Sequence, residues 1–368
     1  MKNNATIIPC YAADTAGVCS ALYELGGMTV VHDASGCNST YATHDEPRWE
    51  SLQSDIFISA LTEIDAIMGN DEKLISDVTA AAADLHPGFI TVCGSPMPMM
   101  TGVDFDAIAS EIERRTGIRT FAMHTNGTRS YLDGASEALL AVTRAFAKPA
   151  PRDPKGVNIL GATPLDLYTN GTAESVRGWL EKQGFSVKCC LAMSDRLESL
   201  SHLGEAAVNL VVSACGLPAA EYLREAYGIP YVCGIPVGVR FPVILAEALH
   251  MAAASGENAA PCMAHRGEGH IYCIGEPVYA GSLACELGGH LISPVTDDRR
   301  FLAPGDSAAS SEEEIAQILR NAEHVYADPL YRFILPPEAV LHPLAHFAFS
   351  GRCYEHTIPN LICKEISL

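Results

Sequence analysis

The stretch Met-Thr-Val-Val-His-Asp-Ala-Ser-Gly-Cys at residues 28–37 joins a β-branched apolar run to a loop that contains glycine and cysteine. Such a run predicts a buried strand that ends where the loop begins. Similar runs recur at residues 55–60, 89–93, 119–123, 157–161, 186–190, 210–213, 231–234, 271–275, 291–293 and 324–327. Between them lie segments of helical period, most clearly Asp71–Asp84, Asp104–Arg115 and Ser130–Ala147, with Asp71 and Asp104 as predicted N-caps. This alternation predicts an α/β protein with parallel sheets and crossover helices.

Two changes in composition divide the chain. The segment 148–154 contains Pro149, Pro151 and Pro154 and is typical of a linker. The segment 256–269 is rich in small residues and precedes a new strand. We therefore predict three Rossmann-like domains with parallel sheets flanked by helices, at residues 1–150, 151–262 and 263–368.

The net charge and the number of cysteines indicate which partners and which kinds of site to expect. The 368 residues include 24 Lys and Arg against 44 Asp and Glu, so the formal net charge is −20. That balance argues against nucleic acid as a main partner, because backbone phosphates need a basic face. No apolar stretch is long enough for a bilayer span or a signal peptide, so we expect no membrane partner and a cytoplasmic location. The 13 cysteines then favour metal, cluster or buried thiol roles over disulfides.

Three cysteines stand in loops or at strand ends. Cys10 follows an apolar entry, Cys37 follows Gly36, and Cys93 ends a predicted strand. In open parallel sheets ligands bind at the carboxyl ends of the strands, and thiolates favour soft metals and iron–sulfur clusters. Three buried thiols are the alternative interpretation. The chain has no GxGxxG motif in a strand–turn–helix setting, no P-loop and no paired CxxC, so we expect no dinucleotide, P-loop or structural zinc site.

Several short motifs follow one another in a fixed order: Pro9-Cys10, HDASGC at 32–37, Leu61-Thr-Glu63, Gly102-Val-Asp104, Gly275-Glu-Pro277 and Ser350-Gly351. The ordered set covers nearly the whole chain. It resembles the nitrogenase component 1 family, which includes the molybdenum–iron protein subunits and the dark-operative protochlorophyllide reductase catalytic subunits. The resemblance implies an iron–sulfur cluster, of [4Fe–4S] or P-cluster-like type, shared between two subunits.

The resemblance also implies a ligand set. In that family three cysteines of each subunit hold the cluster, and Cys10 and Cys37 match the first two positions. The third position falls on Pro96, three residues after Cys93. The third ligand is then Cys93 through a shifted loop, Asp33 or a group from a partner chain, unless the cluster is absent.

Further candidates lie in the predicted cleft between the domains. The family's larger metal cofactor is held by one cysteine and one histidine, and Cys215 and His346 lie near those positions. His32 would tune the cluster or relay protons, or serve as a hydrogen-bonded turn histidine. Glu63 would serve a proton path or cap a helix, and Arg240 would bind a carboxylate substrate or form a surface ion pair. Because the chain is shorter than nitrogenase subunits, we do not expect it to reduce dinitrogen.

The resemblance implies an oxidoreductase component that receives electrons from an ATP-dependent iron–sulfur reductase and reduces a small substrate of unknown identity. A shared cluster requires a homodimer or a heterodimer with a homologous component 1-like subunit. Two other functions stay open. One is a non-catalytic scaffold on which a metal–sulfur cluster or cofactor is assembled or carried, and the other is a cluster-free protein that binds a small ligand.

Overall fold

Three parallel sheets flanked by helices make up the protein in a computed structural model that describes residues 5–34, 39–264 and 269–366. Every strand pair within these sheets is parallel. The α/β fold expected from the alternation of strands and helices is therefore confirmed. None of the described helices is long and apolar enough to cross a membrane.

The first sheet contains β1, the strand that Asp33 follows. Its helices are α1 (Asp14–Leu22), α2 (Glu63–Met68), α3 (Asp71–Leu85), α4 (Pro96–Thr101), α5 (Phe105–Thr116) and α6 (Tyr131–Phe146). Its strands are β1 (Met28–His32), β2 (Asp55–Ile58), β3 (Ile90–Gly94) and β4 (Thr120–Met123). Their order is β2-β1-β3-β4. Because all the pairs are parallel, the carboxyl ends of the four strands lie at the same edge of the sheet.

The second sheet has the order β6-β5-β7-β8. It is built from β5 (Gly156–Leu160), β6 (Ser186–Cys190), β7 (Val208–Val211) and β8 (Tyr231–Cys233). Its helices are α7 (Pro164–Leu167), α8 (Thr172–Lys182), α9 (Leu217–Tyr227) and α10 (Phe241–Ser255).

The third sheet has the order β11-β10-β9-β12-β13. Its strands are β9 (Ile271–Ile274), β10 (His290–Ser293), β11 (Ser307–Ala308), β12 (His324–Ala327) and β13 (Val340–Pro343). The accompanying helices are α11 (Pro277–Leu287), α12 (Glu312–Ile318) and α13 (Phe347–Ser350). Each sheet falls within one of the three predicted blocks of sequence, whereas the domain boundaries themselves stay predictions.

Helices α1 and α6 pack closely enough that their crossing needs glycine on both. A Cβ atom added at Gly17 would lie 2.0 Å from the carbonyl oxygen of Tyr131, and one added at Gly134 would lie 1.9 Å from that of Asp14. Both distances are far inside van der Waals contact. This crossing fixes the start of α6, and with it Tyr131, relative to the N-terminal segment.

The local predictions differ from the structure at a few positions. The sequence did not predict β11 and β13. Strand β11 has only two residues, and β13 ends in proline. Both are edge strands with weak apolar patterns. The predicted cap Asp104 accepts a hydrogen bond from the N–H of Ala107 at 3.0 Å. Asp71 is instead the first residue of α3, and Asn70 occupies the cap position without a side-chain bond.

Candidate functional site

His32 ends β1 and Asp33 follows it, at the carboxyl edge of the first sheet. His32 Nδ1 lies 2.8 Å from the hydroxyl of Ser59, and burial lowers the pKa of the imidazole. Asp33 is buried, and its carboxylate accepts the N–H of Ala34 at 2.8 Å. Cys37, the second predicted cluster ligand, lies outside the described residues.

Cys10 is half-buried in the segment that precedes α1. Its Sγ donates to the carbonyl oxygen of Ala348 at 3.3 Å, and that same oxygen accepts the N–H groups of Tyr11 and Ala12. Burial raises the pKa of the thiol to about 12, and the nearby charge of Asp166 adds to the effect. Cys10 is therefore a protonated donor here, and it must lose that proton before it can bind a metal.

Cys93 lies in the core of the first domain. Its side chain is fully buried on β3, and Sγ lies 3.7 Å from the carbonyl oxygen of Val30. A hydrogen bond with Cys19 of α1, together with burial, raises the pKa of the Cys93 thiol well above its ordinary value. Cys93 would have to leave this core to bind iron, and its role as a ligand stays a prediction. Across the described residues no group of three or more His, Cys, Asp or Glu side chains is placed to hold a metal ion.

A buried cluster of ionisable side chains lies between the three sheets. The hydroxyl of Tyr131 at the start of α6 donates to Asp166 Oδ1 in a short hydrogen bond, and Thr163 donates to Asp166 Oδ2 at 3.2 Å. His346 Nε2 lies 3.4 Å from Asp166 Oδ1. These groups follow β4, β5 and β13, so each of the three sheets contributes one. We call Tyr131, Asp166, Glu276 and His346 the domain junction.

Glu276 completes the domain junction from the loop after β9. One carboxylate oxygen accepts the N–H of Ala214 at 2.7 Å, and the other accepts the N–H of Tyr279 at 2.7 Å. Burial and the charge of Asp166 raise its pKa to about 8, whereas the backbone N–H groups lower it. Because its pKa lies near 8, the Glu276 carboxyl retains its proton at neutral pH.

The domain junction is almost filled. A cavity of about 30 Å³ is lined by Asp166, Glu276 and His346, which is room for about one water molecule. Cys215 is fully buried next to it, with Sγ 3.3 Å from the hydroxyl of Ser213. The structure thus brings Cys215 and His346 to the same region, but that region does not fit a large metal cofactor.

Two other predicted residues lie apart from these groups. Glu63 is exposed in the first turn of α2, where Thr62 is the capping residue. The guanidinium of Arg240 donates to the carbonyl oxygens of Cys285, at 3.3 Å, and Glu286 near the end of α11. Arg240 therefore has a structural role, because its guanidinium binds backbone carbonyl oxygens.

The sequence singled out Gly275-Glu-Pro277 as a motif and His346 as a candidate, but it gave no role to the acids of the domain junction. Asp166 follows the loop Gly161-Ala-Thr-Pro-Leu165, and Glu276 is the central residue of Gly275-Glu-Pro277. An acidic residue that precedes a helix is usually a cap, and Glu276 does cap α11. Only its burial beside Asp166 marks it as unusual.

Two short helices at the edge of the first sheet expose a large apolar surface. Helix α2 follows β2 and helix α4 follows β3, on either side of the loop that continues from β1. Their side chains between 73% and 83% exposed are Ile64, Ile67, Met68 and Met100. An exposed apolar patch of this kind, which we call the α2–α4 face, is typical of a protein interface.

Comparisons of sequence agree with the resemblance inferred from the ordered motifs. A family model described as nitrogenase component 1 type oxidoreductase matches residues 15–268. The chain is 26% identical over 175 residues to one subunit of the light-independent protochlorophyllide reductase of Heliobacterium modesticaldum, covering 47% of this chain and 34% of the relative. It is 26% identical over 223 residues to nitrogenase iron-molybdenum cofactor biosynthesis protein NifE of Clostridium pasteurianum, covering 58% and 48%. These matches span about a third to a half of each relative's length.

Solved structures show the same fold over nearly the whole chain. The structure described as nitrogenase Cp1 at pH 6.5 superposes with a TM-score of 0.69 and 14% identity, covering 99% of this chain and 91% of the other. A second one, at pH 5, gives a TM-score of 0.64 and 16% identity. At such low identity the likeness concerns the fold.

Proposed function

Because the chain belongs to the nitrogenase component 1 type oxidoreductase family, we propose that it is the electron-accepting component of a nitrogenase-like reductase system. Its partners are a homologous component 1-like subunit, either a second copy or a different chain, and an ATP-dependent iron–sulfur reductase. Its substrate is a small molecule other than dinitrogen. We also propose that it works in the cytoplasm.

The observation that carries this proposal is the α2–α4 face. This face lies at the carboxyl edge of the first sheet, where β1 ends and the chain continues towards the predicted ligand Cys37. Its most exposed apolar side chains are Ile67 and Met100. An exposed apolar side chain gains about 1.5–3 kcal/mol when it is fully buried. A protein partner that covers this face would therefore lie near the carboxyl end of β1, as a cluster shared between subunits requires.

We assign Cys10 and Cys37 to the iron–sulfur cluster and leave the third ligand to Asp33, Cys93 or the partner. The donor chemistry fits in part, since Cys10 offers a half-buried thiol whose described hydrogen bonds are to backbone carbonyl oxygens. A bound cluster would store single electrons and pass them on. The protein residues would position it and exclude water, with His32 beside it as a neutral imidazole.

Iron and acid-labile sulfide per chain, measured on protein purified without oxygen, test this proposal. We expect roughly two or more irons per chain and a broad absorption band that bleaches on reduction. Cys10→Ser and Cys37→Ser should each lose the iron, whereas Cys363→Ser, which changes an exposed cysteine of the C-terminal segment, should keep it. Iron-free wild-type protein after reconstitution, or equal iron in all variants, would refute the assignment.

A scaffold function is the second candidate, and the similarity to NifE over 58% of this chain favours it. Turnover separates the two. An enzyme oxidises the reduced partner continuously with ATP and substrate present, whereas a scaffold hands its cluster to an apo-acceptor once and stops. Stoichiometric transfer without turnover would replace the first proposal by the second.

A further inference from the structure

The N-terminal segment that contains Cys10 is held by residues from the other end of the chain. The hydroxyl of Tyr331 donates to the carbonyl oxygen of Pro9 at 2.8 Å, across 322 residues of sequence. The carbonyl oxygen of Ala348 accepts the thiol of Cys10 at 3.3 Å, and it also accepts the N–H groups of the two residues that follow Cys10. Two groups associated with the third sheet therefore bind the chain on both sides of the first predicted cluster ligand.

Both of these groups are organised by one buried carboxylate. Asp328 follows β12, and its Oδ1 accepts the N–H of Leu330 at 3.0 Å, at the start of the turn that contains Tyr331. Its Oδ2 accepts the N–H of His346 at 2.9 Å and the hydroxyl of Ser350 at 2.7 Å, at the two ends of α13. A single side chain thus fixes the turn and the helix relative to each other.

We call Asp328, Tyr331 and Ala348 the Cys10 clamp. All three residues are buried, and Tyr331 is 1% exposed. The ring of Tyr331 also packs near that of Phe349 in α13, with 6.5 Å between the ring centroids. Side chains in a close-packed interior occupy defined rotamers, so the clamp presents its hydrogen-bonding groups at fixed positions.

The clamp fixes the direction of the Cys10 side chain through the backbone. The ring of proline locks φ of Pro9 at about −65°, so the peptide between Pro9 and Cys10 retains one free rotation. The hydrogen bond from Tyr331 to the oxygen of that peptide restrains this rotation. The Ala348 carbonyl restrains the next peptide through the N–H of Tyr11 at 3.0 Å. With both flanking peptides held, the direction of the Cα–Cβ bond of Cys10 is set.

We propose that Tyr331 and Asp328 are positioning residues that hold the Cys10 thiol where an iron–sulfur cluster binds. The inference rests on the proposed function, because it takes Cys10 as a cluster ligand. Outer-shell partners orient metal ligands, and the loss of one typically weakens metal binding about 10–100-fold. When the thiol releases its proton to bind iron, the Ala348 carbonyl keeps its backbone N–H donors, so the clamp stays assembled.

Alkylation of individual cysteines in the iron-free, full-length chain, read by peptide mapping, tests the clamp without iron. Tyr331→Phe removes the hydroxyl and keeps the ring. Because the Cys10 thiol must leave the Ala348 carbonyl to react, we expect Cys10 to react about fivefold faster, which corresponds to about 1 kcal/mol. The fully buried Cys215 reports general loosening and should react at the wild-type rate. Unchanged alkylation of Cys10, or equal acceleration at Cys10 and Cys215, would overturn the inference.

Release of iron to a ferrous chelator tests the same residue in the iron-loaded chain. Tyr23→Phe is the matched control, since Tyr23 is also buried and its hydroxyl donates to the carbonyl oxygen of Leu52 at 2.9 Å. We expect iron release to be about tenfold faster from Tyr331→Phe and unchanged from Tyr23→Phe. Equal release from wild type and both variants would overturn the inference alone. A wild-type chain that holds no iron after reconstitution would overturn the proposed function and this inference with it.

Discussion

Replacing Glu276 by glutamine should flatten the dependence of stability on pH. Glu276 has an ordinary pKa of 4.5, which burial and the charge of Asp166 raise to about 8 in the folded protein. Between these two values the folded chain holds a proton that the unfolded chain has released. Its contribution to stability is therefore present at low pH and is lost as the pH rises from about 4.5 to about 8.

The size of the effect follows from proton linkage. One proton bound only in the folded state changes the free energy of unfolding by at most about 1.4 kcal/mol per pH unit. Glu276→Gln keeps the side-chain volume but places an amide NH2 against the N–H of Ala214 or Tyr279, which costs about 1–3 kcal/mol at every pH. The variant should thus be less stable than wild type at pH 5.5, and this difference should shrink towards pH 8.5.

Unfolding midpoints followed by circular dichroism at four pH values would measure this difference. Glu63→Gln is the matched control, since Glu63 is exposed on α2 and the substitution removes the same charge. Repulsion within a chain of net charge −20 also varies with pH, but both variants share it and it cancels in their comparison. Parallel pH profiles for wild type and Glu276→Gln would refute the proton that we place on Glu276 at neutral pH.

Two further substitutions, Gly134→Ala and Cys93→Ala, test the packing around the first sheet, and Gly178→Ala is a control elsewhere in the chain. Gly134→Ala should destabilise the protein by about 1–3 kcal/mol or more, because the new Cβ would lie 1.9 Å from the Asp14 carbonyl oxygen. Gly178→Ala in α8, where a Cβ meets no atom within 4 Å, should instead be neutral or slightly stabilising in thermal melts. Cys93→Ala should lower the melting temperature but leave the iron content unchanged, because the thiol packs against Cys19 in the core. Loss of iron with an unchanged melting temperature would show that Cys93 is a cluster ligand.

Most of the fold was predictable because each strand corresponds to a short apolar run of consecutive residues. Short apolar runs such as 28–32 and 324–327 were predicted with the bounds that the structure gives. The position of Cys93 was harder, since all five residues of β3 are buried. Apolar and polar residues therefore do not alternate along this strand, and its pattern does not indicate which way the thiol points.

The domain junction was not predictable for a different reason. Tyr131, Asp166, Glu276 and His346 are separated by 35 residues or more along the chain and meet only through the packing of three sheets. Each has an ordinary local explanation as a helix residue, a loop acid, a cap or a loop histidine. A single sequence holds no information about distance between such positions, so only the structure shows that they share a buried environment.

The filled domain junction limits where a substrate can bind. A ligand larger than water at the domain junction must separate Tyr131 from Asp166 and Glu276 from Ala214, and so must break contacts that link the three sheets. An open crevice of about 660 Å³, bounded by the segment 8–13 and the loops after β10 and β11, needs no such movement, and Cys10 lines its wall. A substrate bound there would lie beside the described cysteine that we assign to iron. If turnover is found, Asp297→Asn in the wall of this crevice should therefore change KM, whereas substitutions at the fully buried Cys215 should act mainly through stability.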